Sequence, residues 1–202
     1  MPSAPDLLQL TSTLWLWQAF EPAVKSDLFA SAVKTRRGLF LIDPIPLPVP
    51  FLEEMTAGTT VRAILVTNAN HVRASPDFAR RLGRPILAAA EIPDEFESAQ
   101  REAFPADGKI AEGVTVIPIE GAAPGEVAFH FADDGGTLVL GDALINFQPY
   151  GFTFLPPKYC ADQPRMRRSL RQLLDRPCER LLFAHGTPIV SHAAARLETF
   201  LT

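Results

Sequence analysis

The stretch GGTLVLGDAL (residues 135–144) combines a glycine pair, a short apolar strand and an aspartate, Asp142, at the end of that strand. The residues that open it belong to DDGG (133–136), which is typical of a hairpin turn. The segment GLFLIDP (38–44) has the same order of glycine, apolar strand and terminal aspartate. Two hairpin-rich halves of this kind, with helices outside them, predict an α+β fold, the four-layer αββα sandwich.

The remaining strands and helices are predicted from apolar periodicity and turn residues. Strands are expected at 14–19, 27–33, 38–42, 61–66, 85–88, 114–119, 126–131, 137–140 and 180–183. Helices are expected at 50–57, 94–104 and 192–201, after Ser75 as N-cap with Pro76 in the first turn, and along the stripe Met166, Leu170, Leu173 and Leu174. The predicted core consists of Trp15, Trp17, Leu39, Leu41, Leu65, Leu138, Leu140 and Leu182.

The length, the net charge and the distribution of apolar residues limit the classes of protein to which this chain can belong. The 202 residues suit one domain, 1–202. The net charge of −4 gives no electrostatic footprint for nucleic acid. No apolar run is long enough to span a membrane, and the N-terminal residues do not resemble a signal peptide, so we expect a cytoplasmic protein. In that compartment Cys160 and Cys178 are expected to be reduced thiols.

A second stretch, VTNANHVRAS (66–75), is unusually polar for its position. It follows the apolar strand VRAIL and precedes a predicted helix. Strand ends of this kind are where proteins with mixed sheets and helices place ligands and catalytic groups. Asn68, Asn70, His71 and Arg73 are therefore candidates for lining a cleft, although satisfying loop backbone groups is the default role of the two asparagines.

Four segments occur in an order that resembles the metallo-β-lactamase superfamily, including its glyoxalase II-like hydrolases. They are ILVTNANHVRAS (64–75), EGAAPGEVAFHF (120–131), GGTLVLGDAL (135–144) and LLFAHGTPI (181–189). The resemblance extends from about residue 12 to the C-terminus. It implies the αββα fold and a cleft that contains Asp142 and His185.

The metal-binding pattern of that family does not carry over intact. The family pattern T-H-x-H-x-D-H falls on 67–73, where Asn68 and Asn70 replace the two histidines of the first metal. Val72 and Arg73 replace the aspartate and histidine of the second metal, and Ala122 stands where a further histidine is usual. A neutral carboxamide is a poor zinc ligand, so the resemblance implies a largely dismantled dinuclear zinc site.

Two functional hypotheses follow. The first is a binding, structural or regulatory homologue of the hydrolases that needs no cofactor. In it Arg73 fills part of the vacated site and pairs with Asp142, directly or through one water, while Asn68 and Asn70 complete a neutral hydrogen-bond network with His185. The second is a hydrolase with one zinc or iron ion held by Asp142, His185 and His71, which lies one position off the family's ligands.

The segment FQPYGFTFLPPKY (147–159) carries five aromatic residues and follows Asp142 closely. These aromatics are expected to border the cleft, as an apolar wall for a small-molecule ligand or as a contact between subunits of a homo-oligomer. Covering the core of their own chain is the alternative. The basic run RMRRSLR (165–171) indicates a solvated helix face, and His130 and His192 are expected to have no functional role.

Overall fold

The structure is a computed structural model, and it describes residues 6–23, 25–92, 101–147 and 151–202. A seven-stranded sheet holds the N-terminal half, with its strands in chain order. They are β1 (Asp6–Thr11), β2 (Leu14–Glu21), β3 (Ser26–Thr35), β4 (Gly38–Ile42), β5 (Val61–Leu65), β6 (Ile86–Ala88) and β7 (Arg101–Ala103). The first four strands are antiparallel, and β4 to β7 run parallel.

A five-stranded sheet holds the C-terminal half. It is built from β8 (Lys109–Ala111), β9 (Val114–Pro118), β10 (Val127–Phe131), β11 (Thr137–Leu140) and β14 (Arg180–Phe183), in the order β14-β11-β10-β9-β8. The predicted hairpin turn joins β10 to β11, where Gly135 and Gly136 have positive φ. A separate two-stranded ribbon of β12 (Leu144–Phe147) and β13 (Gly151–Phe154) follows Asp142.

Helices cover the outer faces of both sheets. The helices α1 (Val49–Thr56) and α2 (Ser75–Leu82) pack on the seven-stranded sheet, and α3 (Gln163–Leu170) and α4 (Ala193–Leu201) pack on the five-stranded sheet. The result is the αββα order of layers predicted from the sequence.

Strand alternation divides the interior into three apolar layers. Leu14, Phe40 and Leu65 point from the first sheet towards Phe129 and Leu182 of the second. The alternate residues of both sheets face the helices instead. All eight predicted core residues are buried, but only Leu65 and Leu182 lie between the sheets. Trp15, Trp17, Leu39 and Leu41 pack beneath α1 and α2, and Leu138 and Leu140 pack in the layer of α3 and α4.

Two local predictions are wrong within the described residues, and the strands β1, β7, β8, β12 and β13 were not predicted. Ser75 is the first residue of α2 rather than its N-cap, which is Ala74, and the buried Ser75 hydroxyl has no partner among the described residues. The helix expected at 94–104 lies mostly outside the described residues, and its last part is strand β7. The strand β1 was not expected; it pairs antiparallel with β2 at the edge of the sheet.

The loops that follow two pairs of parallel strands begin at the same edge of the sandwich. Asp43 and Val66 directly follow parallel β4 and β5, Ala184 directly follows β14, and Asp142 lies two residues after the end of β11, which is parallel to β14. Backbone hydrogen bonds tie the sheets together there, with the Val127 amide donating to the Thr67 carbonyl at 2.8 Å and the Phe29 amide to the Ala184 carbonyl at 3.0 Å. The carboxyl ends of both pairs therefore meet at one edge of the sandwich.

Two further observations concern the chain as a whole. Cys178 is buried, Cys160 is half-buried, and both are free thiols. Over the described part of the chain, none of the helices has the length and apolar character required to cross a bilayer.

Candidate metal centre

Three side chains that could bind a metal ion converge where the strand ends meet. The donor atoms of His71, Asp142 and His185 all lie within 4.8 Å of one another. Oδ1 of Asp142 is 3.3 Å from Nε2 of His71 and 3.3 Å from Nε2 of His185. The two imidazole rings have centroids 5.4 Å apart. The same carboxylate oxygen is therefore shared by two imidazoles, one from each half of the chain.

The loop after β5 turns His71 into this cluster. A short 3₁₀ turn spans Ala69–His71, and Oδ1 of Asn68 caps it by accepting from the Asn70 amide at 2.8 Å. The His71 amide donates to the Asn68 carbonyl at 3.1 Å. Asn68 thus takes the loop-stabilising role expected for an asparagine, and the tight turn brings His71 into the interior.

The far side of the His71 ring is held by a buried aspartate. Nδ1 of His71 lies 3.1 Å from Oδ2 of Asp43 and 2.8 Å from Oγ1 of Thr67. Asp43 also accepts from the Thr67 amide at 2.8 Å and from the Thr67 hydroxyl at 2.5 Å. An Nδ1–H directed at a carboxylate leaves Nε2 facing the cleft, where its lone pair can bind a metal ion.

The electrostatics of the cluster follow from the two aspartates. Burial and the nearby Arg73 lower the pKa of His71, but Asp142 and Asp43 outweigh them and raise it to about 9. Burial alone would raise the pKa of Asp142, but His71 and His185 hold it well below its usual range. Without a bound metal ion, the cluster is therefore an ionised Asp142 between imidazoles, with His71 protonated.

The second oxygen of Asp142 is bound from the Asn68 side. Nδ2 of Asn68 donates to Oδ2 of Asp142 at 3.2 Å and to Oε2 of Glu126 at 2.7 Å. The Ala143 amide donates to Oε1 of Glu126 at 3.0 Å. Burial and the charge of Asp142 raise the pKa of Glu126 to about 8. Asn68 is thus the bridge between two buried carboxyl groups.

A glycine makes room for this arrangement. A Cβ at Gly141 would lie 2.7 Å from Oε1 of Glu126, 2.8 Å from Oγ1 of Thr67 and 3.0 Å from Nδ2 of Asn68. Any side chain at Gly141 would therefore press on the groups that position Asp142.

The predicted ion pair between Arg73 and Asp142 is not formed directly. Nη1 of Arg73 donates to the Phe29 carbonyl at 2.7 Å and to the Asp43 carbonyl at 3.2 Å, while Nε and Nη2 are buried without a partner among the described residues. Burial lowers the pKa of Arg73, and Asp43 and Asp142 oppose that shift. Arg73 borders the cleft, but its Nη1 connects strand β3, through the Phe29 carbonyl, with the loop after β4, through the Asp43 carbonyl.

The predicted neutral network with His185 is also different in detail. Asn68 and Asn70 contact Asp142 rather than His185, and the network includes the carboxyl groups of Asp43 and Glu126. Nδ1 of His185 lies 3.3 Å from the Asp27 carbonyl, which leaves its Nε2 directed at Asp142.

A cleft of about 610 Å³ opens above the cluster. Its floor contains Asn70, His71, Arg73, Asp142 and His185. Its walls are mainly apolar and include Leu28, Ile145, Phe147, Leu155, Pro156 and Tyr159. All the residues predicted to line the cleft therefore do so, except the fully buried Asn68.

The aromatic segment 147–159 divides between the cleft and the core. Phe147 and Tyr159 line the cleft, and the Phe147 ring is 6.2 Å from the His185 ring. Phe152 and Phe154 instead pack on Phe200, each with ring centroids 4.4 Å apart. The fifth aromatic, Tyr150, lies outside the described residues.

The donor set fits one metal ion and does not fit the dinuclear zinc site of the family pattern. Nδ2 of Asn68 faces two carboxyl groups, so its amide donates where a metal ligand would have to accept. Two imidazole nitrogens and one carboxylate oxygen, in contrast, match the three protein ligands that catalytic zinc sites use, with a further position open to the cleft.

Sequence reasoning missed two members of the site, Asp43 and Glu126. Asp43 carried a signal, because the echo between GLFLIDP and GTLVLGD places it in the same strand-end position as Asp142. The two echoed aspartates flank His71, one at each ring nitrogen. Glu126 follows the EGAAPG turn and had no comparable signal.

Comparisons with known proteins agree on the fold. The family model described as the metallo-beta-lactamase superfamily matches residues 9–201. No curated protein matches the chain. The fold is similar to that of the DIM-1 metallo-beta-lactamase, with a TM-score of 0.72 and 13% identity over 99% of this chain and 100% of that one.

Two further solved structures are similar over most of the chain. A metallo-beta-lactamase from Pontibacter korlensis has a TM-score of 0.71 at 16% identity, covering 96% of this chain and 99% of that one. A metallo-beta-lactamase family protein from Thermus thermophilus has a TM-score of 0.64 at 19% identity, covering 96% and 79%. At these identities the likeness concerns the fold.

Proposed function

We propose that this chain, which belongs to the metallo-beta-lactamase superfamily, is a hydrolase that works with one transition-metal ion held by His71, Asp142 and His185. This is the second of the two hypotheses raised by the sequence. The observation that carries it is the shared approach of two imidazole Nε2 atoms to Oδ1 of Asp142, at 3.3 Å each, on the floor of an open cleft.

The surroundings of each ligand support metal binding. Asp43 and Thr67 hold Nδ1 of His71, and the Asp27 carbonyl holds Nδ1 of His185, so both rings present Nε2 to the same point. Asn68 holds Oδ2 of Asp142 and leaves Oδ1 directed at the histidines. Groups that fix the orientation of a ligand in this way raise the affinity of metal sites.

The metal ion and the protein would make different contributions to the reaction. A zinc or iron ion at these ligands supplies Lewis acidity and lowers the pKa of water towards neutrality. The chain supplies the orientation of the ligands and a mainly apolar cleft for the substrate. Because His71 is protonated in the metal-free cluster, binding of the ion also requires the release of its proton.

A second candidate function is a metal-free binding or regulatory homologue, the first hypothesis from the sequence. The observation that favours it is that Oδ1 of Asp142 lies 3.3 Å from Nε2 of both His71 and His185, so the three side chains contact one another directly. A metal-free cleft with these walls could still hold a small molecule.

Metal analysis of protein purified without chelator tests the choice between the two. We expect about one zinc or iron ion per chain, and a large loss of it in His71→Ala, Asp142→Ala and His185→Ala. His192→Ala, a change at an exposed histidine at the start of α4, is the matched control and should retain the metal.

A hydrolase assay completes the test. Any hydrolytic activity should disappear on chelation and return on addition of the ion. A folded protein with no metal, or with metal that the three ligand variants retain, would contradict the metal-dependent hydrolase and support the metal-free homologue.

A further inference from the structure

We infer that the cleft accepts an uncharged acyl compound with an apolar chain, whose carbonyl oxygen accepts a hydrogen bond from the side chain of Asn70. The inference rests on the proposed function for the reaction itself, but its binding component does not require a metal ion. It is carried by the different hydrogen bonding of two neighbouring asparagines and by the composition of the cleft walls.

Asn68 has no hydrogen-bond donor left for a ligand. A carboxamide offers two N–H donors and one oxygen. The Nδ2 of Asn68 donates to Glu126 and to Asp142, and its Oδ1 accepts from the Asn70 amide. Asn68 is also fully buried. Its role is therefore internal to the protein.

The side chain of Asn70, in contrast, has a hydrogen-bond donor available to a ligand. Its side chain has a single contact within the described part of the chain, a long one of 3.5 Å from Nδ2 to Oδ2 of Asp142. The residue is exposed and lines the cleft beside His71 and His185. An N–H at the edge of the reacting centre is thus available to a substrate oxygen.

The charges at the cleft favour an uncharged ligand, because the imidazolium of His71 is already paired with the carboxylates of Asp43 and Asp142. Among the described residues that line it, Arg73 alone carries a permanent positive charge. Its Nη1 is occupied by the Phe29 and Asp43 carbonyls, and its Nε and Nη2 are shielded from solvent. Glu21 adds an acidic group to the wall. Among the described residues that line the cleft, no arginine or lysine N–H group is available to bind a carboxylate or phosphate of the ligand.

The walls match an apolar chain. Phe147 and Tyr159 from the aromatic segment, Ile145 and Leu155 beside them, and Leu28 from β3 enclose the space above Asn70. A volume of about 610 Å³ is within the usual range for small-molecule sites. Burial of methylene groups against these walls would provide most of the binding energy.

Asn70 also has a defined role in the reaction. A water oxygen bonds to the carbonyl carbon, and the π electrons move onto the carbonyl oxygen. The carbonyl then re-forms, the bond to the leaving group breaks, and a proton from the water passes to that group. The hydrogen bond from Asn70 strengthens as charge develops on the carbonyl oxygen, so it acts on the rate more than on substrate binding.

The binding component is tested with metal-free protein and two ligands of equal length, hexanamide and hexanoate, followed by NMR titration. Hexanamide should bind at least about tenfold more tightly than hexanoate. Asn70→Ala and Phe147→Ala should each weaken hexanamide binding by about threefold to tenfold. Phe154→Ala, an aromatic change in the same segment that packs on Phe200, is the matched control and should leave binding unchanged. Equal or tighter binding of hexanoate, or no effect of Asn70→Ala, would overturn the inference.

The catalytic component is tested with metal-loaded protein and p-nitrophenyl esters of two to eight carbons. Catalytic efficiency should rise with chain length, and p-nitrophenyl phosphate should not be a substrate. Asn70→Ala should lower kcat by about 10²-fold, raise KM by no more than the threefold to tenfold loss expected for hexanamide binding, and leave the metal content unchanged. An unchanged kcat would overturn the role of Asn70. Lack of metal and of ester hydrolysis in the wild type would instead contradict the proposed function, and the result with hexanamide would stand separately.

Discussion

Nε2 of His71 lies 3.3 Å from Oδ1 of Asp142, although His71 occupies a position that binds no metal in the family pattern. The 3₁₀ turn at Ala69–His71 explains the contact, because it carries the side chain inward immediately after the buried strand β5. The turn is capped by Asn68, which stands in a former ligand position. Asn68 therefore helps to place His71 in the cluster from a position where the family pattern has a metal-binding histidine.

The first prediction is that Asn68 contributes more than Asn70 to the stability of the fold. Asn68→Ala would leave the buried carboxyl groups of Glu126 and Asp142 without the donor between them, and would remove the cap of the turn. We expect a loss of about 1–3 kcal/mol in the free energy of unfolding. Asn70→Ala removes one long contact at the surface and should change the free energy of unfolding by less than about 0.5 kcal/mol. Urea denaturation of metal-free protein measures both, and equal effects would contradict this assignment.

The second prediction concerns Asp43, whose carboxylate contacts Nδ1 of His71 on the side of the ring away from Asp142. Asp43→Asn should lower metal affinity by about 10- to 100-fold, because Nδ1 of His71 loses the carboxylate that fixes its tautomer and orientation. Competition with a chelating dye at pH 7 measures the affinity. Asp133→Asn, a change at an exposed aspartate in the β10–β11 turn, is the control. An unaltered affinity in Asp43→Asn would show that Thr67 alone orients the ring.

The fold was predictable because it is encoded by local patterns that repeat. Apolar runs located nine of the twelve described strands of the two sheets, all but β1, β7 and β8, and the DDGG turn located the β10–β11 hairpin. The short strand β7 was not predictable in this way, since it depends on parallel pairing with β6 rather than on its own sequence, REA. The division of the core into three layers was missed because burial alone does not indicate which face of a strand points to which layer.

The site was predictable where it depended on strand ends and not where it depended on side-chain orientation. The positions of Asp142 and His185 followed from their motifs. The partners of Arg73 did not, because its Nη1 contacts the carbonyls of Phe29 in β3 and of Asp43 after β4, and only the folded sheet brings these two residues within reach. Glu126 was missed for a similar reason, since its significance comes from contact with Asn68.

The third prediction follows from these contacts of Arg73. Arg73→Met keeps much of the apolar stem but leaves the Phe29 and Asp43 carbonyls without their donor. We expect a loss of about 1–3 kcal/mol in the free energy of unfolding. Arg80→Met, in which an exposed arginine loses an ion pair with Asp77, is the matched control and should change it by less than about 0.5 kcal/mol. If both variants unfold like the wild type, the contacts of Arg73 with the Phe29 and Asp43 carbonyls do not stabilise the fold.

The fourth prediction uses a histidine remote from the metal centre. His130 is buried in β10, and its Nε2 lies 2.9 Å from the Pro177 carbonyl. Burial lowers its pKa, against the effect of that carbonyl, while the same residue in the unfolded chain titrates near 6.5. The unfolded chain therefore binds the proton more readily. His130 has little effect on the pH dependence of stability above about pH 6.5, and it destabilises the fold increasingly as the pH falls below that value.

Replacement of His130 by glutamine tests this sign. His130→Gln retains an N–H for the Pro177 carbonyl but cannot titrate. Urea denaturation between about pH 5 and pH 7.5 should show that the wild type loses stability relative to His130→Gln as the pH falls through about 6.5. His192→Gln, at an exposed position, controls for loss of a histidine as such and should follow the wild type. Because His71 and the carboxyl groups are the same in all three proteins, their titrations cancel in the differences. Parallel curves for the wild type and His130→Gln would show that His130 can be protonated in the folded state without cost.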